Sequence, residues 1–264
     1  MKTIYQALAE IEEKKQVAAL ATIVRSQGST PRHGTSKMLV YADGSILGTV
    51  GGGGLEGRVH EQALEAMQDS KARLIKYNMS DPAKGDPGIC GGTVEVYVEP
   101  ILPNPTLLLV GAGHVGKATA HLAKWLNFHV VIAEDRAEFC TPEHIPDANE
   151  YHPVPMDEIS RHVDINAQTY IVLTTRGADV DGIALPELLD SPAPYIGVIG
   201  SRRRWLSATK LLQEQGVPEE KIAQVHSPIG LEIQAETPEE IALSIMAEVL
   251  MIRDGGTGKK MSAK

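Results

Sequence analysis

Three glycines, Gly111, Gly113 and Gly116, stand in the order G-x-G-x-x-G within LLLVGAGHVGKATAHLAKWLNFHVVIAEDR. This spacing lets a backbone approach a pyrophosphate. The first glycine permits a tight turn, the second removes the side chain that would meet the phosphate, and the third lets the following helix pack close to its strand. The context makes the match specific: an apolar run precedes it, an Ala-rich helical pattern follows, and a second apolar run ends at Glu134, about 20 residues on. Glu134, with Asp135 second, is the expected acceptor for ribose hydroxyls. An acid there favours NAD, while Arg136 next door keeps NADP in play. His114, inside the glycine loop, is expected to line the same site rather than to bind metal. The helix N-terminus behind the loop offers N–H groups to an anion. A Rossmann shell adapted to another phosphate ligand, or to none, fits the same pattern.

A second group of residues lies nearer the N-terminus. RSQGSTPRHGTSKM places Gly28, Ser29, Pro31, Arg32 and Gly34 between two predicted strands, and Arg32 has a fork suited to phosphate or carboxylate. Gly51, Gly52, Gly53 and Gly54 run into a predicted helix carrying Glu56 in its first turn, an arrangement that presents backbone N–H groups as an anion nest. The two loops together could cradle a phosphorylated ligand; tight backbone packing at turns accounts for the same glycines. Cys90 sits in the glycine-rich segment PGICGGTVEVYVEP. Such a loop cysteine suits a thiolate ligand or a sulfur carrier, and a small residue at a turn is the other reading. Cys140, in EFCTPEH, is expected to be structural. Gly200-Ser201-Arg202-Arg203-Arg204 reads as a helix N-terminus with three guanidinium groups. An anion or partner contact at Arg202 and Arg203 is expected, against a solvated basic face. There is no H-x-x-x-H or Cys/His cluster to suggest zinc and no G-x-S-x-G elbow to suggest a hydrolase.

The elements that must position these residues fall into two rhythms. The first 100 or so residues read as a helix with Ile4, Leu8 and Ile11 on one face, then strands at 17–24, 38–41 and 45–50 with an Asp43-Gly44 hairpin turn. A helix at 55–67 and strands at 72–77 and 93–98 follow, separated by the loop 78–92. PILPNP at 100–105 cannot continue a helix or a central strand and marks a boundary. Beyond it strands are predicted at 106–110, 130–134, 170–174, 195–199 and 222–225, with helical patterns between them and a final helix at 238–253. That alternation predicts a doubly wound parallel sheet. The expected organisation is therefore α/β: an N-terminal α+β domain over 1–103, a Rossmann-like domain over 104–254, and a flexible tail at 255–264.

A chain of 264 residues suits one large domain or two modest ones. With 25 basic and 34 acidic residues, net charge −9, it is a poor candidate for nucleic acid or an anionic membrane. Two cysteines fit a reducing compartment. The N-terminal MKTIYQALAEIEEKKQ lacks the apolar core of a secretory signal, so a cytoplasmic protein is expected.

In the order of its motifs the chain resembles the XdhC/CoxI family, accessory proteins of molybdenum hydroxylases. The resemblance is carried by ATIVRSQGSTPRHGTSKMLV, DGSILGTVGGGGLEGRVHEQA, CGGTVEVYVEP, LLLVGAGHVGKATAHLA, YIGVIGSRRR and SPIGLEIQAETPEEIALSIMAEVL. It implies a homodimeric cofactor chaperone rather than an enzyme. Such a protein binds molybdenum cofactor transiently, assists its sulfuration, and inserts it into an apo molybdenum hydroxylase of the xanthine dehydrogenase type, with a cysteine desulfurase as a further partner. Cys90 matches the cysteine of the family's Cys-Gly-Gly motif, as sulfur carrier or molybdenum ligand. Arg32 and the glycines 51–54 match its phosphate-like loops, and Gly111, Gly113 and Gly116 its nucleotide loop. The chain departs from many relatives at Thr174-Thr175-Arg176-Gly177-Ala178-Asp179-Val180-Asp181, where they carry a Thr-His-x-His stretch. Two other readings remain: an NAD(P)-dependent oxidoreductase acting on a small substrate, and a nucleotide-sensing interaction module.

Overall fold

The segment AALATIV is apolar on both of its alternating faces, as a strand covered on both sides requires. The computed structural model, which describes residues 2–14, 16–28, 35–78 and 92–262, places it in β1 (Ala18–Gln27). β1 is the middle strand of an antiparallel sheet with β2 (Lys37–Tyr41), β3 (Ile46–Gly48), β4 (Arg73–Asn78) and β5 (Thr93–Ile101), in the order β3-β2-β1-β5-β4. Ala19, Ala21 and Ile23 face α2 (Gly53–Asp69), which buries Leu55, Val59, Ala63 and Ala66 at helical spacing. Ala18 and Leu20 face the other way, against Ala7 and Ile11 of α1 (Ile4–Glu13). The Asp43-Gly44 turn joins β2 to β3, with the Asp43 carboxylate accepting the backbone N–H and the hydroxyl of Ser45. Gly44 is left-handed at φ +81°. These elements form a first compact unit, Met1–Pro103; the second is Asn104–Lys264.

In the second unit β6 (Thr106–Val110), β7 (His129–Ala133), β8 (Glu150–His152), β9 (Thr169–Leu173) and β10 (Tyr195–Val198) form a parallel sheet in the order β10-β9-β6-β7-β8. This is the mixed α/β architecture with a Rossmann-like parallel sheet that the sequence predicts. Leu107 and Leu109 turn to one face, against α3 (His114–Trp125) and α8 (Pro238–Asp254). Leu108 and Val110 turn to the other, against α5 (Ala178–Leu188) and α6 (Arg202–Glu214). All four are fully buried, and each such side chain contributes about 1.5–3 kcal/mol by leaving water.

Two departures from the predicted elements concern the sheet's edges. Residues 222–225 do not form a strand. Ile222 ends a helical turn, α7 (Glu219–Ile222), entered through Pro218, and the sixth strand position is reduced to one parallel bridge between Gly197 and His226. The short edge strand β8 has no counterpart among the predicted elements. No described helix is long and apolar enough to cross a membrane.

Candidate functional site

The strand order reverses at β6, whose neighbours are β7 and β9, so the crevice at the carboxyl ends of these strands is where an open α/β sheet takes its ligand. Gly111, Gly113, His114 and Gly116 all lie at that end. The three glycines meet different demands. Gly111 has φ +107°, and a Cβ there would stand 2.8 Å from the Thr174 carbonyl oxygen. A Cβ on Gly116 would collide with the Gly111 carbonyl and stand 2.8 Å from Thr174 Oγ1. Thr174 in turn donates its hydroxyl to the Gly111 carbonyl at 2.8 Å. Gly113 differs: its φ of −73° suits any residue, and a Cβ there meets nothing within 4 Å. Neither backbone strain nor crowding requires glycine at 113, the N-cap of α3, and a side chain there would fill open space beside the loop. No side chain caps α3 at Gly113. These features fit a nucleotide diphosphate. His114, the first residue of α3, is exposed beside the loop.

Glu134 and Asp135 do reach this crevice, but the chain itself engages them. Glu134 is 1% exposed and accepts the Ala112 N–H at 2.8 Å on Oε2. Arg136 covers it, donating from Nε to Oε1 at 2.8 Å and from Nη2 to Oε2 at 3.1 Å, while its guanidinium lies 4.3 Å from the centre of the Phe139 ring. Asp135 is held by both Nη atoms of Arg176, at 2.7 and 2.6 Å. That fork, reinforced by the charge of Arg136, keeps the Asp135 carboxyl far below the usual carboxylate range. His144 braces the loop, donating from Nε2 to the Ala112 carbonyl at 2.8 Å.

One strand over, Arg204 serves the fold. Its Nε and Nη2 donate to the fully buried Asp181 at 2.9 and 2.8 Å, and its Nη1 donates to the Thr175 carbonyl at 3.0 Å. The Thr175 hydroxyl completes the network by donating to Asp181. Burial pushes the Asp181 carboxyl upward, opposed by Thr175 and Arg204. This ties the loop after β9 to the start of α6. Arg202 and Arg203 are exposed. Arg202 borders a cleft of about 560 Å³ shared with Gly200, Ile241, Ser244 and the segment 228–235.

In the first unit Gly51, Gly52 and Gly53 have φ of +131°, +76° and +62°, so the turn into α2 does require glycine. Glu56 folds back into this nest, accepting the Val50 and Gly52 N–H groups at 3.3 and 3.2 Å and the Thr49 hydroxyl. Its carboxylate thus shapes the loop, while α2 begins at Gly53 and Gly54 with no side-chain cap. Arg32 and Cys90 lie outside the described residues. Cys140 is buried, and burial pushes its thiol up.

Sequence reasoning does not assign Thr174, Thr175, His144, Arg176 or Asp181 to the site. The one local signal is a run of polar residues directly after the fully buried strand TYIVL. The partners of Arg176 and Arg204 lie 41 and 23 residues away in the chain, and no local pattern identifies them.

Comparison with known proteins adds to this geometry. A family model described as the XdhC Rossmann domain matches residues 107–249, and one described as the XdhC and CoxI family matches residues 12–78. The chain is 38% identical over 260 residues to the uncharacterized Escherichia coli protein YqeB, covering 98% of this chain and 48% of that protein. It is 30% identical over 161 residues to a Bacillus subtilis protein described as a probable xanthine dehydrogenase subunit, covering 61% and 47%. It is 24% identical over 281 residues to the E. coli molybdenum cofactor insertion chaperone PaoD, covering 96% and 88%. The matches thus span about half the length of YqeB and of the B. subtilis protein. A crystal structure from Bacillus halodurans, described as a xanthine dehydrogenase, shares the fold with a TM-score of 0.52 at 23% identity, covering 98% of this chain and 97% of that one.

Proposed function

The chain belongs to the XdhC and CoxI family, and from that premise we propose that it is an accessory protein of molybdenum hydroxylases. In this reading it binds molybdenum cofactor, assists its sulfuration, and inserts it into an apo-enzyme of the xanthine dehydrogenase type. The observation that carries the reading is the pair of family matches, to the Rossmann domain and to the N-terminal domain, in one chain that is also similar over 96% of its length to a molybdenum cofactor insertion chaperone. The geometry supports it in two places. At the left-handed glycine turn into α2, Glu56 already accepts the Val50 and Gly52 N–H groups, so what is left for the cofactor's phosphate is the uncapped start of the helix. The open space at Gly113 suits a nucleotide, either a dinucleotide regulator or the nucleotide form of the cofactor.

Arg32 would hold the phosphate, and Cys90 would approach molybdenum or carry sulfur. The apo-hydroxylase is the client, a cysteine desulfurase the sulfur source, and the working form a cytoplasmic homodimer. The test is delivery. Protein purified anaerobically with its cargo is mixed with a purified apo molybdenum hydroxylase, and the appearance of hydroxylase activity is followed. The reading expects activation that scales with loaded protein and is lost with Cys90→Ala or Arg32→Ala. If loaded protein activates no better than free cofactor does, the role in insertion falls.

A further inference from the structure

The contact between Arg176 and Asp135 runs across the site. Asp135 follows β7 and Arg176 follows β9, and these two strands flank β6 on opposite sides. Their side chains therefore meet over the carboxyl end of β6, where Gly111 to Gly113 turn into α3. A ligand diphosphate on that loop must lie under or in place of this contact. The two acids in the crevice are held very differently. Glu134 is sealed at 1% exposure, with Ala112 and Arg136 as its close partners and Arg176 Nη1 at 3.9 Å. The Arg176 and Asp135 side chains are 45% and 28% exposed, so water and an incoming anion can reach the pair. A diphosphate that takes over Arg176 leaves the Asp135 carboxylate beside it, so the two anions compete for one guanidinium.

We propose that Arg176 is the phosphate-gripping residue of this nucleotide site, parked on Asp135 while the site is closed and transferred to the diphosphate of a nucleotide when one binds. The planar fork that meets both Asp135 oxygens is the geometry that meets two phosphate oxygens. Asp135 then competes with the ligand and does not hold its ribose. The ligand is a nucleoside diphosphate group, whether part of a dinucleotide or of a nucleotide form of the cofactor. The inference rests on the nucleotide part of the proposed function.

The test is calorimetric titration of the intact protein with ADP, CDP, GDP and NAD, with adenosine as the phosphate-free control. Arg176→Ala is expected to weaken the binding nucleotide about tenfold or more and to reduce its salt dependence. Asp135→Asn is expected to tighten it roughly two- to fivefold. Neither change should affect adenosine. The base preferred among ADP, CDP and GDP shows which source supplies the diphosphate. Unchanged affinity in Arg176→Ala, or weaker binding in Asp135→Asn, would overturn the proposal while leaving nucleotide binding intact. If neither the unaltered protein nor either variant binds any of the four nucleotides, the nucleotide reading falls and this proposal with it. Both residues are partly exposed, and far-ultraviolet circular dichroism shows directly whether each variant keeps its fold.

Discussion

At Gly116 an added methyl would meet the Gly111 carbonyl and the Thr174 hydroxyl, whereas at Gly113 it would meet nothing. The two substitutions should separate folding from binding. Gly116→Ala is expected to cost about 1–3 kcal/mol by forcing α3 away from β6, read as a lower urea midpoint. Gly113 is the N-cap of α3, so Gly113→Val should lower stability by no more than about 1 kcal/mol and abolish nucleotide binding. A Gly113→Val protein that titrates normally would show that the loop takes no ligand. The glycine motif is legible in the sequence because each of its demands is local to one turn and one helix. The fate of Glu134 is not. An acid at the end of the second strand is the sign of a ribose acceptor, but whether its oxygens face a ligand or the chain depends on Arg136 stacking on Phe139 and on Arg176 arriving from another strand.

Two of the buried carboxylates in the second unit, Asp181 and Glu248, tie its elements together, and each gives a prediction at that scale. Removing the guanidinium in Arg204→Ala leaves the fully buried Asp181 without its charge partner. The expected loss is about 3–5 kcal/mol. Both tryptophans, Trp125 and Trp205, lie in this unit, so denaturation followed by their fluorescence measures it directly. Glu248 on α8 accepts the Tyr195 hydroxyl at 3.0 Å and the Gly230 N–H at 2.6 Å, with His226 Nδ1 at 3.2 Å. Burial alone would raise its pKa, but these partners together lower it. A carboxyl depressed in the folded state contributes stability above its unfolded pKa of about 4.3 and loses it as pH falls through the folded value. The stability gap between the unaltered protein and Glu248→Gln should therefore be full near pH 6 and close below about pH 4.3; a gap that stays constant to pH 3 contradicts this. Most of the elements can be read from period and punctuation. The strand expected at 222–225 cannot stand because Pro218 followed by Glu219 and Glu220 is a helix start. β8 gives no sequence signal because three residues, Glu150, Tyr151 and His152, on a sheet edge make no apolar run.

At the scale of the whole molecule, two units with different folds serve one proposed task, the handling of molybdenum cofactor. The order of motifs along the chain carries this reading, since neither the glycine loops nor a single loop cysteine would do so alone. The open space at Gly113 adds a physical reason for phosphate at one of the two glycine turns; at the other, Glu56 already holds two of the amides. The most direct test is chemical. The protein is purified anaerobically from a host that makes molybdenum cofactor, then oxidised and assayed for the fluorescent pterin and for molybdenum. Cofactor handling predicts both in near-stoichiometric amounts, and their loss in Arg32→Ala and Cys90→Ala proteins that remain folded. Protein free of pterin and molybdenum, under conditions where an established carrier retains them, would contradict it.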